Sequence, residues 1–239
     1  MKKKIIRFHK SMQLPKIDPP IDQEEAPILH THIFHKEYPR LKKIKFPPSK
    51  EISYLANLLK RRKSIRNFGT TSLNRVIQSI NNSFTILDHE EMAEHRSYPS
   101  AGARFPIELY LISFNLEGID KGVYHYSLLG NHLEVLLQKD IDEHYTDIVS
   151  PYVHNAPCAI LLTTVLSRSE VKYGMRSYLY SALECGHIGQ NLYLAATELG
   201  LGCCAVGGFK DETLKELIDL TDEELPMYVL AIGEPKNDE

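Results

Sequence analysis

Residues 99–110 read Pro-Ser-Ala-Gly-Ala-Arg-Phe-Pro-Ile-Glu-Leu-Tyr, a turn of small residues between two prolines that leads into an apolar run. A turn of this composition can present backbone amides to a ligand with little steric obstruction. The apolar run extends over residues 107–114, and its β-branched and apolar side chains predict a central strand. The sequence therefore predicts a ligand-accessible loop at the entrance to a buried strand.

Further segments downstream have the pattern of strands. Residues 158–165 and 227–232 are short apolar runs that resemble 107–114. Residues 122–126 and 132–137 are joined through Leu-Gly-Asn, a connection typical of a β-hairpin. The chain is thus predicted to contain three central strands and one hairpin.

Two helices are predicted before the first strand. One begins near residue 51, because Ile52, Leu55, Leu58 and Leu59 recur at intervals of three to four residues. The other follows Ser72, which is predicted to be its N-cap. The buried stripe of this second helix is predicted to contain Leu73, Val76, Ile77 and Ile80.

The longest predicted helix runs from about Tyr178 to Leu199 and is ended by Gly200 and Gly202. Small residues recur among its leucines, at Ala182, Gly186, Gly189, Ala195 and Ala196. A helix this apolar is usually buried on most sides, either in the core of a dimer or at the centre of a monomer. We also interpret His187, on this helix, as a hydrogen-bonded core histidine.

Composition and charge limit the class of protein. The chain has 239 residues, 43% hydrophobic and 25% charged, which is typical of a globular protein, and its formal net charge of -3 does not favour nucleic acid or an anionic membrane as a partner. No apolar stretch approaches the roughly 18 to 20 residues of a membrane span, and the first residues lack the apolar region of a signal peptide. We expect a cytoplasmic protein with four reduced core cysteines, namely Cys158, Cys185, Cys203 and Cys204.

Two further motifs suggest a ligand site. Arg62, Lys63, Ser64 and Arg66 follow the first of these helices; such cations can bind a phosphate, but they are also common at solvated helix ends. Gly207 and Gly208 follow a short apolar run, where bare backbone could approach a flat ring, although a glycine pair is more often a turn. The match to G-x-G-x-x-A at residues 200–205 closes a helix instead of opening one, so it does not predict a Rossmann site.

Together these residues resemble the FMN-dependent nitroreductase superfamily over about residues 51–233, and especially its SagB-type dehydrogenases, which form thiazoles and oxazoles. The motifs are R-K-S-I-R-N-F at 62–68, P-S-A-G-A-R-F-P-I-E-L-Y at 99–110, K-Y-G-M-R at 172–176 and E-C-G-H-I-G-Q-N-L at 184–192. The resemblance implies an α+β, nitroreductase-like fold with a central mixed β-sheet flanked by helices. It also implies an intertwined homodimer that holds two FMN molecules at its interface.

The resemblance assigns the cofactor contacts residue by residue. The residues that match those holding the phosphate, ribityl chain and pyrimidine edge are Arg62, Lys63, Ser64 and Arg66. The residues that match the loop reaching the same flavin from the partner chain are Pro99, Ser100, Ala101 and Gly102. Gly207 and Gly208 match the segment beside the flavin ring. The family often adds a cation after the last strand, and here only Lys236 is available.

Lys172 and Tyr173 match a Lys-Tyr pair that, in the dehydrogenases this chain resembles, assists proton removal while a hydride passes to flavin N5. Lysine can act as such a base once burial lowers its pKa; the alternative is a solvated lysine before the long helix. The implied substrate is an azoline ring of a modified peptide, and the implied partner is a cyclodehydratase. An NAD(P)H-dependent reductase of nitroaromatics, quinones or flavin, and a non-catalytic flavin-storing or partner-binding protein, are the alternatives.

The first 50 residues are distinct from the rest. They contain seven prolines among basic and scattered apolar residues, which predicts an irregular arm over 1–50 and a single FMN-binding domain over 51–239. In an extended arm, His30 and His32 would point to one face, with His35 nearby. No Cys, Asp or Glu lies at a matching spacing, so no metal site is predicted.

Overall fold

The computed structural model describes residues 2–13, 33, 35–47, 53–90 and 93–236. Its helices are α1 (Lys2–Ser11), α2 (Tyr54–Arg61), α3 (Leu73–Ser83), α4 (Tyr145–Val149), α5 (Ser167–Tyr173), α6 (Arg176–Glu198) and α7 (Asp211–Ile218). Its strands are β1 (Phe68–Gly69), β2 (Ile86–Glu90), β3 (Ala93–Arg96), β4 (Ile107–Ser113), β5 (Gly122–Ser127), β6 (His132–Gln138), β7 (Cys158–Val165), β8 (Gly202–Val206) and β9 (Glu224–Pro235). The three predicted central strands and the predicted hairpin are confirmed.

One large sheet forms the centre of the fold. Its strands follow the order β1-β9-β7-β4-β5-β6, and β8 also pairs with β9; β2 and β3 form a separate hairpin. Each strand pair of the large sheet is antiparallel, and the parallel contribution to this mixed sheet is the bridge between Ser64 and Cys203. The long strand β9 therefore connects the segment around Ser64 to the centre of the sheet.

Helices cover both faces of this sheet, which explains why its central strands are apolar throughout. Because successive side chains of a strand point to opposite faces, Ile160 of β7 packs in the cluster that contains Ile188 of α6, while Leu161 packs with Ile148 of α4 and Leu214 of α7. The α+β, nitroreductase-like arrangement of a sheet flanked by helices is confirmed.

The long helix α6 begins two residues earlier than predicted and ends where its glycine predicts. Gly200 has φ +73°, a left-handed conformation that glycine adopts easily, and the Leu201 backbone N–H donates to the Ala196 carbonyl at 2.8 Å. The prediction that Gly202 also helps to end the helix is wrong, because Gly202 is the first residue of β8. A Cβ on Gly202 would lie 2.8 Å from the Ile65 side chain, so this glycine permits a close approach.

The N-terminal segment corrects the prediction of an irregular arm. Residues 2–11 form α1, on which Ile5 is fully buried in a cluster with Leu166 and Leu225. The prolines that indicated irregular structure begin only at Pro15, so the first turns are free to be helical. Residue 33 and residues 35–47 lack regular secondary structure, as predicted.

Several other predictions concern the histidines, cysteines and helices. His30 and His32 lie outside the described residues, and His35 is exposed. All four cysteines are free and buried, as predicted. Within the described part of the chain, no His, Cys, Asp or Glu residues cluster as a metal site would require, and none of the helices is both long and apolar enough to cross a bilayer.

Candidate functional site

The basic cluster, defined as Arg62, Lys63, Ser64 and Arg66, lies where α2 ends. The chain leaves the helix at Arg62 and runs alongside β8, where the Ile65 backbone N–H donates to the Cys203 carbonyl at 3.0 Å. This contact fixes the cluster beside the strand that leads to Gly207. The structure therefore brings together two motifs that are about 140 residues apart in the chain.

Tyr193 of α6 holds the basic cluster in place and was not predicted from the sequence. Its hydroxyl lies 3.0 Å from the Ser64 hydroxyl and accepts a hydrogen bond from the Ala205 backbone N–H at 2.7 Å. The Arg62 guanidinium lies 5.3 Å from the centre of its ring, within the range of a cation–π contact. Tyr193 directly follows the motif at 184–192, but no pattern in the sequence indicated its partners.

A cleft of about 740 Å³ opens beside the basic cluster. Lys63, Ser64 and Arg66 line it together with Lys236, whose backbone N–H donates to the Asn67 carbonyl at 3.0 Å. Among the residues that the structure describes, no acidic side chain pairs with any of these three cations. The cleft thus offers three uncompensated positive charges, the donor set that a phosphate group requires.

Gly207 and Gly208 follow directly after β8. Gly207 is exposed, and a Cβ placed on it would have no atom within 4 Å; Gly208 is half-buried. Bare backbone therefore faces open space at the end of β8, the strand beside which the basic cluster lies. A flat ring could lie against it without meeting a side chain of these residues.

The proline loop, defined as residues 99–106, has an unusual backbone. Gly102, Ala103 and Phe105 all have positive φ, at +60°, +50° and +46°, a conformation that disfavours residues with a Cβ. The Phe105 backbone N–H donates to the Ser100 hydroxyl oxygen at 2.9 Å, and the Ser100 hydroxyl donates to Oε2 of Glu184 at 2.6 Å. These hydrogen bonds hold the two ends of the turn together.

Lys172 and Tyr173, at the end of α5, lie against the proline loop. A Cβ placed on Gly102 would collide with the Tyr173 hydroxyl and lie 2.7 Å from the Lys172 Nζ. The Tyr173 ring packs edge-on against Tyr180 of α6, with 5.0 Å between ring centres. The structure therefore brings together the Lys-Tyr pair and the loop, although Lys172 is exposed in the single chain and not buried as the base role assumed.

Arg168 connects α5 to the loop and to the sheet, a role that was not predicted from the sequence. Its guanidinium donates to the Phe105 carbonyl at 3.3 Å and pairs with Oε1 of Glu108 at 2.5 Å. Burial alone would raise the pKa of Glu108, but hydrogen bonds from His125 and Arg168 outweigh burial and lower that pKa below its ordinary value. The resulting carboxylate anchors the start of α5.

The two parts of the site attach to opposite sides of α6. Ser64 of the basic cluster contacts Tyr193, whereas Ser100 of the proline loop contacts Glu184, nine residues earlier on the same helix. Nine residues of α-helix correspond to roughly 13 Å along the axis and about half a turn around it. Within one chain, the basic cluster and the proline loop therefore do not face a common cleft.

Apolar side chains remain exposed on α6 and α2. Leu179 and Leu183 are 55% and 54% exposed, and the small residues Ala182 and Gly186 are exposed on the same side of the helix. In the single chain α6 is thus not buried on most sides, which contradicts its placement at the centre of a monomer, and His187 is exposed instead of a core histidine. The apolar sequence of a helix does not distinguish a core from a surface that another chain covers.

Comparison with known proteins identifies the family. A sequence profile of the nitroreductase family matches residues 59–234. The chain belongs to the nitroreductase family. This confirms the predicted family and supports classification of the protein as a nitroreductase-family oxidoreductase.

Two curated relatives and one solved structure show which members this nitroreductase-family protein is similar to. MJ1384 of Methanocaldococcus jannaschii, which carries a nitroreductase name, is 28% identical over 193 residues that cover 80% of this chain and 95% of MJ1384. The microcin B17-processing protein McbC of Escherichia coli is 28% identical over 151 residues, which cover 60% of this chain and 56% of McbC. The chain thus spans little more than half of McbC.

The structural likeness extends further than the sequence likeness. A chain of the E. coli microcin synthetase McbBCD complex, solved with truncated pro-MccB17 bound, superposes with a TM-score of 0.74. It is 23% identical in sequence, and the superposition covers 99% of this chain and 94% of that one. The shared fold therefore extends beyond the residues 51–233 over which the sequence resembles the family.

Proposed function

We propose that this protein binds FMN between two copies of its chain and oxidises thiazoline or oxazoline rings in a modified peptide. The observation that carries this proposal is the position of Lys172 and Tyr173 against Gly102 of the proline loop. A reductase of nitroaromatics or quinones has no need for such a base. Oxidation of a carbon–hydrogen bond beside nitrogen does need one.

The residues around the basic cluster fit FMN. Lys63, Arg66 and Lys236 supply positive charge for a phosphate, and a cleft of about 740 Å³ lies beside them. Ser64 lines the same cleft, with its hydroxyl 3.0 Å from that of Tyr193, and the exposed backbone of Gly207 allows a flat ring to approach closely. The chain therefore supplies both a charged and a flat surface for this cofactor.

A second copy of the chain is the simplest way to complete this site. The basic cluster and the proline loop lie on opposite sides of α6, so a two-fold arrangement across this helix would bring the cluster of one copy to the loop of the other. The same arrangement would cover Leu179 and Leu183 of α6. It is also consistent with the homodimer implied by the family resemblance.

The chemistry of the proposed reaction divides between cofactor and protein. Conversion of an azoline to an azole removes two hydrogens, one as a proton and one as a hydride, and bound FMN would accept the hydride. Lys172 Nζ, in its neutral form, takes the proton and becomes an ammonium. The Tyr173 hydroxyl also lies against Gly102 of the proline loop, where it orients the azoline ring.

The relatives support a peptide substrate. McbC is named as a microcin B17-processing protein, and the McbBCD structure contains a truncated pro-peptide. An azoline must first be formed by cyclisation and dehydration of a cysteine, serine or threonine residue. We therefore propose that a cyclodehydratase supplies the substrate and is a partner of this protein.

An NAD(P)H-dependent reductase is the second candidate function. It is favoured by the match to MJ1384, which covers most of both chains and carries a nitroreductase name. Anaerobic addition of NADPH separates the two candidates, because a reductase loses its oxidised flavin absorbance in this experiment. A flavin that stays oxidised with NADPH but is bleached by an azoline peptide supports the dehydrogenase.

The substitution Lys172→Ala tests the proposed function. We expect azole formation to fall by about 10²-fold to 10⁴-fold, the usual contribution of a general base, while bound FMN absorbance is unchanged. Lys139→Ala, at an exposed lysine after the hairpin, is the matched control and should retain full activity. Full activity of Lys172→Ala on an authentic azoline peptide would exclude the base role.

A further inference from the structure

Glu184 of α6 is a buried carboxyl group with an incomplete set of partners. Its exposed fraction is only 2%, and its Oε2 accepts the Ser100 hydroxyl at 2.6 Å. Its Oε1 is buried without a hydrogen-bond partner among the described residues. An incompletely paired carboxyl in this position is costly, and that cost calls for an explanation beyond packing.

The hydrogen bonds around Ser100 have a fixed direction. A serine hydroxyl has one proton, and here the proton goes to Glu184, so the oxygen is free to accept the Phe105 backbone N–H at 2.9 Å. On its other side, the Phe105 carbonyl accepts the Arg168 guanidinium at 3.3 Å. Phe105 is thereby held from both sides in its left-handed conformation, at φ +46°.

We propose that Glu184 is a positioning residue that, through Ser100 and Phe105, holds the proline loop against the Lys172–Tyr173 pair. The inference rests on the proposed function for the role of that pair. Glu184 itself touches neither Lys172 nor Tyr173, and it acts by fixing the turn that contains Gly102. The carboxylate form makes the stronger link, since hydrogen bonds to a charged acceptor are roughly twice as strong as neutral ones.

The proton affinity of Glu184 places this effect near neutral pH. Burial raises the pKa of Glu184 to about 7, against the opposing effects of the Ser100 hydrogen bond and the positive charge of Arg96 on β3. The other ionisable groups that face it are Tyr98, which follows β3, and Cys185 on α6; burial raises the pKa of both. The loop is therefore held firmly above about pH 7 and more weakly below it.

Hydrogen exchange at the Phe105 backbone amide tests the inference without any turnover. The experiment uses the full chain with FMN added, and the protection of this amide is corrected for its intrinsic exchange rate. Protection should rise about fivefold or more from pH 5.5 to 8.5, because the hydrogen bond becomes stronger. Glu184→Gln has nearly the same shape and no titrating group, so its protection should not change with pH. Ser100→Ala breaks the same link and should also remove the step.

Glu216→Gln on α7 is the matched control, because it removes an exposed carboxylate and should leave the step at Phe105 intact. A wild-type protein without this step, or a Glu184→Gln variant that keeps it, would overturn the inference. For Glu184→Gln and Ser100→Ala, the exchange of the Phe105 amide is measured on the loop itself and not through activity. A variant that is inactive because it misfolds is therefore not counted as support.

Turnover provides the second readout. For the wild-type protein, kcat for azoline oxidation should rise with pH over the same range as the protection of Phe105. For Glu184→Gln, kcat should be about tenfold lower and should not show this rise, while KM for the peptide is unchanged. A step in protection without any azoline oxidation would refute the proposed function and leave the role of Glu184 standing. A wild-type pH profile of kcat in Glu184→Gln would refute the role of Glu184 alone.

Discussion

Gly102 shows how one residue determines the geometry of the candidate site. Its positive φ of +60° directs the turn, and its missing side chain leaves the space that the Tyr173 hydroxyl and the Lys172 Nζ occupy. The sequence predicted that small residues here would let a ligand approach the backbone. The structure adds that two side chains of the same chain approach this glycine, a contact that spans about 70 residues and has no local sequence pattern.

The substitution Gly102→Ala is therefore expected to impair catalysis more than folding. The new Cβ displaces the ends of two flexible side chains, and the backbone strain at positive φ costs about 1 to 2 kcal/mol of unfolding free energy. Azoline oxidation should fall at least about tenfold, because a shift of about 1 Å in a catalytic group has a large effect on rate. Gly118→Ala, at φ +92° beside Leu73, is the control and should lose similar stability but no activity. Urea unfolding measures the stability of the two variants, and turnover measures their activity. Equal activity of the two variants would contradict the proposed role of Gly102.

Some features of the helices can be predicted from the sequence, whereas others are seen only in the structure. The length of α6 and its end at Gly200 follow from local patterns of apolar residues and glycine. Which face of α6 packs on the sheet depends on the other elements, so the exposure of Leu179 and Leu183 in the single chain could not be read from the sequence. The short helix α1 was missed because its few apolar positions resembled those of the proline-rich segment after it.

The exposed face of α6 leads to a prediction about assembly. Leu183→Glu places a charge where a second copy is proposed to pack. Because burying this charge is unfavourable, the protein should shift from dimer to monomer in sedimentation experiments. FMN binding should weaken in parallel, because the site needs both copies. Leu136→Glu on β6, at a leucine that is 47% exposed on the edge strand of the sheet, is the control and should remain dimeric. A Leu183→Glu protein that stays dimeric and binds FMN normally would show that α6 is not the interface.

In the whole molecule, the parts with strong repeating patterns were predictable. The apolar strands β4, β7 and β9 and the β5–β6 hairpin were found because burial on both faces and turn residues leave clear signals. The short strands β1, β2 and β3 were not, since two to five residues with polar side chains give no periodic pattern. For the site, the residue types and their order were sufficient to select the family. That the basic cluster and the proline loop lie on opposite sides of α6 could be seen only in the structure.

Mixed dimers provide the measurement that decides whether FMN is held between two chains. Arg66→Glu damages the basic cluster and Gly102→Trp damages the proline loop, so each homodimer should bind little FMN. A purified dimer with one copy of each variant retains one undamaged cluster opposite one undamaged loop, so it should bind about one FMN per dimer, measured by flavin absorbance. If the mixed dimer binds no more FMN than its parents do, or if either parent binds FMN normally, the cofactor is not shared between the two chains in this way.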